Sequence, residues 1–412
     1  MGRKGTEMHG RDTRNRGGYV YSNHVETRNK LVNTTPPSIA IIGAGIGGLA
    51  VSACLRKAGI ETTIYEQAPA FARIGAGIQM SPNAMRVLYG IGVGEQIRVS
   101  AFEPPHWRNR DHDTGNLTND HPLGPDAYER YGVPYILMHR GDLHAALQGA
   151  VPDDTIRYAH KLCGIDQSDA GVTLDFENGT TVTYDAVIAS DGVHSPVRDW
   201  MLGKEEARFT GRLAYRTAFP SSLMNGYELM DDSAKWWGPD RHIVIYYVTA
   251  ARDEIYFTTS QPEPGFRVES WSETGDVTDL RAAFADFHPD VRAVLDACPA
   301  VHKWAIFERD PLPKWSDGNV VLMGDACHPM TPYMAQGAAN ALEDSVVLSR
   351  CLAEGGLDDF PAAFRRFEAA RKPRTSKVQA TSHRNEFMRE KTDPDWVYGY
   401  DAWNVELPNT AI

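Results

Sequence analysis

The 412-residue sequence predicts an α/β protein in which a parallel sheet of strand–turn–helix units is interrupted by an antiparallel sheet and closed by C-terminal helices. Three observations predict it. Short apolar runs at 38–42, 185–190 and 320–323 each lead into a turn bearing glycine, with an acidic residue near it. Residues 208–313 switch to alternating aromatic and β-branched side chains with Gly, Pro and Asp at the turns. Residues 343–385 carry a helical pattern, with Phe364, Phe367 and Val378 among many charges.

Residues 1–37 stand apart. Arg3, Lys4, Arg11, Arg14, Arg16, Arg28 and Lys30 outnumber Glu7, Asp12 and Glu26, and large apolar residues are few. This composition is expected of a disordered leader, or of sequence read from an upstream start codon. It lacks the apolar core of a secretory signal and is richer in acids than a transit peptide. The run at 38–42 then reads as a buried parallel strand. Gly43, Gly45 and Gly48 follow it at the spacing that permits a tight turn, close approach of a pyrophosphate, and helix–strand packing. A helix over 49–58 ends at Gly59, and its N-terminal amides favour a diphosphate. Glu66 ends the next strand, 23 residues after Gly43, where a carboxylate accepts ribose hydroxyls.

The chain then returns to the same ligand. Arg73 opens a glycine-rich stretch before a helix near Ala84, with Asn83 a candidate cap. Arg140 opens a helix running to Gln148, where a guanidinium pairs with phosphate or ribityl oxygens, or makes an ordinary surface ion pair. Asp191-Gly192 ends another strand and suits a second backbone approach. Residues 320–323 lead into Gly324-Asp325, then a Pro- and Gly-rich loop to Gly337, then a helix from Ala338. That order sets an acid near a ribitol chain and a helix N-terminus near a flavin ring. A nicotinamide dehydrogenase needs only the first glycine turn, so the combination points to FAD. No Cys or His lies in an evident attachment motif, so the FAD is expected to be non-covalent.

Within 208–313, the clearest strand is 242–248. Period two puts His242, Val244 and Tyr246 on one face and Ile243, Ile245 and Tyr247 on the other. The isoleucine face suits a core. The His242 face suits an aromatic pocket, or two satisfied polar groups at a sheet rim. The boundaries expected are therefore a leader over 1–37, a FAD-binding part over 38–207, a substrate sheet over 208–313, and a second FAD-binding part with helices over 314–412.

These motifs, in this order, resemble the single-component flavoprotein aromatic hydroxylases, the para-hydroxybenzoate and salicylate hydroxylase class. The segments that match are Tyr65–Phe71, Arg73 with Gly75–Ile78, His139–His144, Lys235–Trp237 with Asp240–His242, Gly324–Met330, Met334–Ala338 and Trp396–Asp401. The last and the Trp-Trp pair are similar to the branch of the class acting on hydroxynicotinate. The likeness covers 38–401. It implies a para-hydroxybenzoate hydroxylase-like fold, with a Rossmann-like FAD-binding domain and an interleaved substrate sheet. It also implies NADH or NADPH and dioxygen as co-substrates, and hydroxylation of a small hydroxy- or amino-substituted aromatic acid. His242 and Tyr246 fall at active-site positions of that branch, to bind and polarise a ring hydroxyl. Val244 lies between them. Gln79, Ser233 and Tyr333 stand where the branch has histidine, cysteine and histidine, which removes two potential cations and leaves the substrate open. Decarboxylative hydroxylation is the expectation, with ortho-hydroxylation or a flavin dehydrogenase without oxygen insertion as alternatives.

Composition excludes other classes. A net charge of −12 gives no electrostatic support for nucleic-acid binding. No apolar run approaches the about 18 residues of a membrane span. Five cysteines without metal-ligand spacing suggest reduced thiols and a cytoplasmic setting. The C-terminal helical part is expected either to pack over the fold or to form a homodimer.

Overall fold

The computed structural model describes residues 36–72, 76–267, 273–389 and 392–409. Most of the leader and Arg73 lie outside the described residues. The apolar run at 38–42 forms the strand Ile39–Ile42, at the centre of a six-stranded sheet. Ala186–Ala189 and Thr62–Tyr65 flank it in parallel, and Val320–Leu322 pairs with Ala186–Ala189, also in parallel. Ile39–Ile42, Ala186–Ala189 and Val320–Leu322 are buried on both faces, as a parallel sheet covered by helices requires, and Thr62–Tyr65 is buried in its second half. Ile156–Arg157 and the antiparallel pair Ser316–Asp317 close the edges. Because the central strands are parallel, the turns after them come together at one end of the sheet. Such carboxyl ends are where α/β sheets bind ligands.

Gly43 shows why that end needs glycine. Its φ is +97°, and a Cβ there would lie 2.5 Å from the Ser190 carbonyl oxygen on the neighbouring turn. The helix Ile46–Lys57 follows and ends in a Schellman motif, with Ile60 N–H donating to Leu55 C=O and Gly59 N–H to Arg56 C=O. The helix Arg140–Gln148 has the expected bounds, and the His139 ring accepts the Gly141 N–H.

The expected cap at Asn83 is corrected. The helix is Pro82–Ile91, and Ser81 is its N-cap residue. Proline is preorganised for the first helical position, so the helix starts one residue before Asn83. The Asn83 side chain is buried, and its amide donates to Gln336 and Glu343 instead.

The second sheet has eight strands, in the order Thr274–Gly275, Val301–Glu308, Arg208–Pro220, Glu254–Pro262, His242–Tyr247, Ser233–Trp237, His106–Asp111, Leu117–Pro122. Its last two strands come from before residue 208, and His106–Asp111 joins Ser233–Trp237 in parallel. Ile243 and Ile245 point to the face covered by the helices Val277–Ala283 and Pro289–Ala297, packing with Leu280, Phe284 and Val294. Each such isoleucine contributes about 1.5–3 kcal/mol by leaving water. The opposite face carries His242, Val244 and Tyr246 and looks toward the first sheet's ligand-binding end. The helix Phe360–Arg384 packs against Gly337–Gly355, burying Phe364 and Phe367 in the main core and Val378 in the cluster beneath the second sheet. No helix among the described residues is long and apolar enough to cross a membrane.

Candidate active site

A cavity of about 500 Å³ runs from the glycine turn to the second sheet. Gly45, Gly47, Arg140, Ser190, Gly192, Gly324 and Asp325 line one end, and Gly337 and Ala338 line its middle. A Cβ on Gly45 would meet no protein atom within 4 Å, so the space above that backbone is open. The helix Gly337–Gly355 aims its N-terminus at the cavity, and no acid sits in its first turn to oppose an anion. Burial pushes the Asp325 carboxyl up, against the pull of His328 and Arg140. Burial also pulls the Arg140 guanidinium down, against Asp325. An elongated ligand with a diphosphate, hydroxyls and an electron-poor ring matches these groups, and FAD is such a ligand.

Two predicted cofactor residues, Glu66 and Asp191, are not among those lining this cavity. The Glu66 carboxylate accepts the Ala44 and Ala68 N–H groups at 2.8 Å each, tying the glycine turn to the second strand's end. The Asp191 carboxyl turns toward the helix Pro196–Leu202 and accepts the Val197 N–H at 3.4 Å. Burial raises it to about 6, against a hydrogen bond from Ser195. At that turn it is the Ser190, Gly192 and Val193 positions that face the cavity.

Below the cofactor loop lies a second, tighter cavity of about 70 Å³, sharing Gln79, Thr258, Pro332 and Ala335 with the first. His242, Val244 and Tyr333 line it, and Tyr246 lines the larger one. The Gln79 carbonyl accepts Tyr135 O–H at 2.6 Å, and its amide is hydrogen-bonded to Tyr246. That leaves the Tyr246 O–H proton for a ligand. Tyr333 shares a hydrogen bond with Ser260 at 3.1 Å and meets the His242 ring edge-on at 5.6 Å. Ser233 is in the same sheet face, but its hydroxyl donates to the His106 carbonyl and it lines neither cavity. Burial holds His242 well below the usual imidazole range, helped by Lys235, Arg212 and Arg389. Burial also holds Tyr246 well above the usual phenol range, with Tyr256 adding to it.

The residues that sequence reasoning missed are charged. Across the sheet, Arg216 pairs with Thr258, Thr258 with Val244, and Val244 with Lys235. These four side chains form one cross-strand row with a cation at each end. Three strand spacings separate the end backbones by about 14–15 Å. Arg216 lines the larger cavity, its guanidinium 4.5 Å from the Trp304 ring centroid. Lys235 lines the smaller one. Lys235 is the lone cation of Ser233–Trp237, the one signal that marked it, whereas Arg216 is one of three arginines in Arg208–Pro220. Cys327 is a buried thiol pushed well above its usual range by desolvation, so it is a packing residue and not a nucleophile.

The fold and sequence have counterparts in known proteins. The FAD binding domain family model matches residues 37–381. The 6-hydroxynicotinate 3-monooxygenase of Bordetella bronchiseptica is 44% identical over 90% of this chain and 97% of its own length. A 3-amino-4-hydroxybenzoate 2-monooxygenase of Streptomyces platensis is 35% identical, over 90% of this chain and 98% of its own. The Klebsiella pneumoniae HpxO structure with FAD and uric acid is 26% identical, with a TM-score of 0.75 over 88% of this chain and 91% of its own. The chain belongs to the FAD binding domain family. It is a FAD-dependent aromatic monooxygenase that uses NAD(P)H.

Proposed function

We propose that the enzyme hydroxylates a para-hydroxy or para-amino aromatic acid at the carbon bearing the carboxylate, with release of carbon dioxide. The cross-strand row carries this reading. Arg216 offers a charge for the carboxylate on the cofactor side, and His242 lies beside the tighter cavity, where the ring donor fits. Thr258 and Val244 make the floor between them. Tyr246 donates its O–H to the ligand, and Tyr333 lies at the His242 end, so the carboxylate end falls to Arg216 and Gln79. The relatives named for hydroxynicotinate support a donor and a carboxylate on one ring.

FAD, reduced by NAD(P)H, supplies an electrophilic oxygen derived from dioxygen. The chain's own work is positioning, exclusion of water and charge management. A donor para to the carboxylate makes the carboxylate-bearing carbon nucleophilic. Attack there is followed by loss of carbon dioxide, because that carbon has no proton to lose. The balance is one aromatic acid, one NAD(P)H, one proton and one dioxygen giving one phenol, carbon dioxide, NAD(P)⁺ and water.

The test is a panel of para-hydroxy and para-amino benzoic and pyridine acids, with NAD(P)H oxidation and carbon dioxide counted together. One carbon dioxide per NAD(P)H is expected for the best substrate. A product that retains its carboxylate overturns the proposal in favour of ortho-hydroxylation, the reading that the aminohydroxybenzoate relative's name supports.

A further inference from the structure

The tighter cavity contains a lysine that the reaction outlined above does not yet use. Lys235 is 6% exposed. Its ammonium nitrogen lies 3.8 Å from the Trp237 ring centroid and 3.3 Å from Asn385 Oδ1. No carboxylate among the described residues pairs with it, and no Asp or Glu lines the cavity. The charges that act on it, Arg389 and Arg212, are both positive. A lysine buried without an anion, among other cations, is costly to keep charged. A ligand that delivers a proton and leaves an oxyanion there removes that cost.

We propose that Lys235 is the base for the substrate's ring hydroxyl. This rests on the orientation proposed above, which sets the ring donor in the tighter cavity. The O–H bond of the ring breaks, its proton forms a new N–H bond on the Lys235 Nζ lone pair, and the electron pair stays on oxygen. A neutral phenol and a neutral amine become a phenolate and an ammonium ion, with no redox change. The neighbouring groups leave Lys235 as the acceptor. His242 is held well below its usual range, so its ring is a poor proton holder at neutral pH. Tyr333, Tyr135 and Tyr398 are all pushed up by burial and stay protonated. Arg212 and Arg389 accept no proton. Burial, then Arg389 and Arg212, brings Lys235 itself down to about 7, so it is the group facing this cavity that titrates between about pH 6 and 9. The proposal separates ring-hydroxy acids, which need this proton acceptor, from ring-amino acids, which do not.

The pH sign is specific. Below about pH 7 the free lysine is already protonated and accepts nothing, so kcat/KM is lost as the pH falls. A lysine that merely paired with a carboxylate would do the reverse and lose affinity as the pH rises past 7. The experiment uses FAD-loaded protein with 4-hydroxybenzoate and 4-aminobenzoate as probes. An ultraviolet difference titration reports whether the bound hydroxy acid is ionised, and kcat/KM is followed across pH. Wild type is expected to bind 4-hydroxybenzoate as the phenolate at pH 7.5, below the free phenol's own ionisation. Lys235→Met is expected to bind it as the neutral phenol, lose the acid limb and fall on the order of 100-fold in kcat/KM, the usual span of a lost general base. The same variant is expected to treat 4-aminobenzoate within about threefold of wild type, since that probe has no O–H to give, and His242→Asn is expected to keep the acid limb. Methionine matches the lysine stem and removes the buried charge, and Lys235→Gln supplies a second variant. A phenolate still formed in both variants, or wild-type affinity that falls above pH 7, overturns the proposal. Absence of turnover in wild type with every acid overturns the reaction proposed above, while the bound-ligand spectrum still decides the role of Lys235.

Discussion

Gly45→Val is expected to give a folded, colourless protein. Gly45 caps the helix Ile46–Lys57 with φ −72° and ψ −175°, a conformation open to valine, and a Cβ added there would meet no protein atom within 4 Å. The FAD-free variant should therefore unfold within about 0.5 kcal/mol of the FAD-free wild type. The valine fills the space in which a diphosphate would meet the free N–H groups of that helix. FAD affinity should fall on the order of 100-fold or more, which is about 2.7 kcal/mol. Gly48→Ala makes the contrast. Its Cβ would lie 1.9 Å from the Gly43 carbonyl oxygen, a clash with backbone that no rotamer relieves. That variant should lose about 1–3 kcal/mol of stability or more as the helix is forced off the strand. Flavin absorbance after desalting and thermal unfolding with and without FAD separate the two. Full flavin occupancy in Gly45→Val would remove the glycine turn from the cofactor site.

Asp344→Ala is expected to cost about 3–5 kcal/mol of stability, the usual size when one member of a buried ion network is removed. Asp344 is fully buried on the helix Gly337–Gly355. One carboxylate oxygen accepts the Gly324 N–H at 3.0 Å and lies 2.5 Å from His328 Nε2. The other accepts Arg371 Nε at 2.7 Å. Glu343 beside it pairs with Arg371 and Arg374, and accepts from Asn83. The network thus ties the cofactor loop to the helix Phe360–Arg384. Burial alone would raise the Asp344 carboxyl, but His328 and Arg371 overcome it and bring it down to about 2. A carboxyl lowered from an unfolded value near 4 stabilises the fold fully above about pH 4, and that stability is lost as the pH falls toward 2. Asp344→Ala should flatten this acid limb in denaturant titrations at pH 2 to 5. An unchanged limb would assign the acid sensitivity to other carboxylates.

What was legible in the sequence was local. The strands at 38–42 and 320–323, the glycine turn and the period-two face of 242–248 are written in consecutive residues, and each appears at the expected place. The register between strands is not local. Nothing near Lys235 says that it stands opposite Val244, or that Thr258 and Arg216 continue the same row. The replaced histidine positions at Gln79 and Tyr333 therefore looked like a loss of charge, when cations from two other strands line the same cavities. The parallel pairing of His106–Asp111 with Ser233–Trp237 was hidden for the same reason, since it spans more than 120 residues and leaves no turn signal. Glu343 and Asp344 are two of the many charges in the helical pattern at 343–385, and only the packing of Arg371 against them shows them buried.

The most direct measurement is turnover under oxygen-18 dioxygen with NAD(P)H and the best aromatic acid, the product and the water being analysed by mass spectrometry. The predicted result is one labelled oxygen in the aromatic product and one in water for each NAD(P)H oxidised, with no label transfer when FAD is stripped from the protein. An unlabelled aromatic product, or NAD(P)H oxidation that sends all the label to hydrogen peroxide with every acid, would contradict ring hydroxylation at this site.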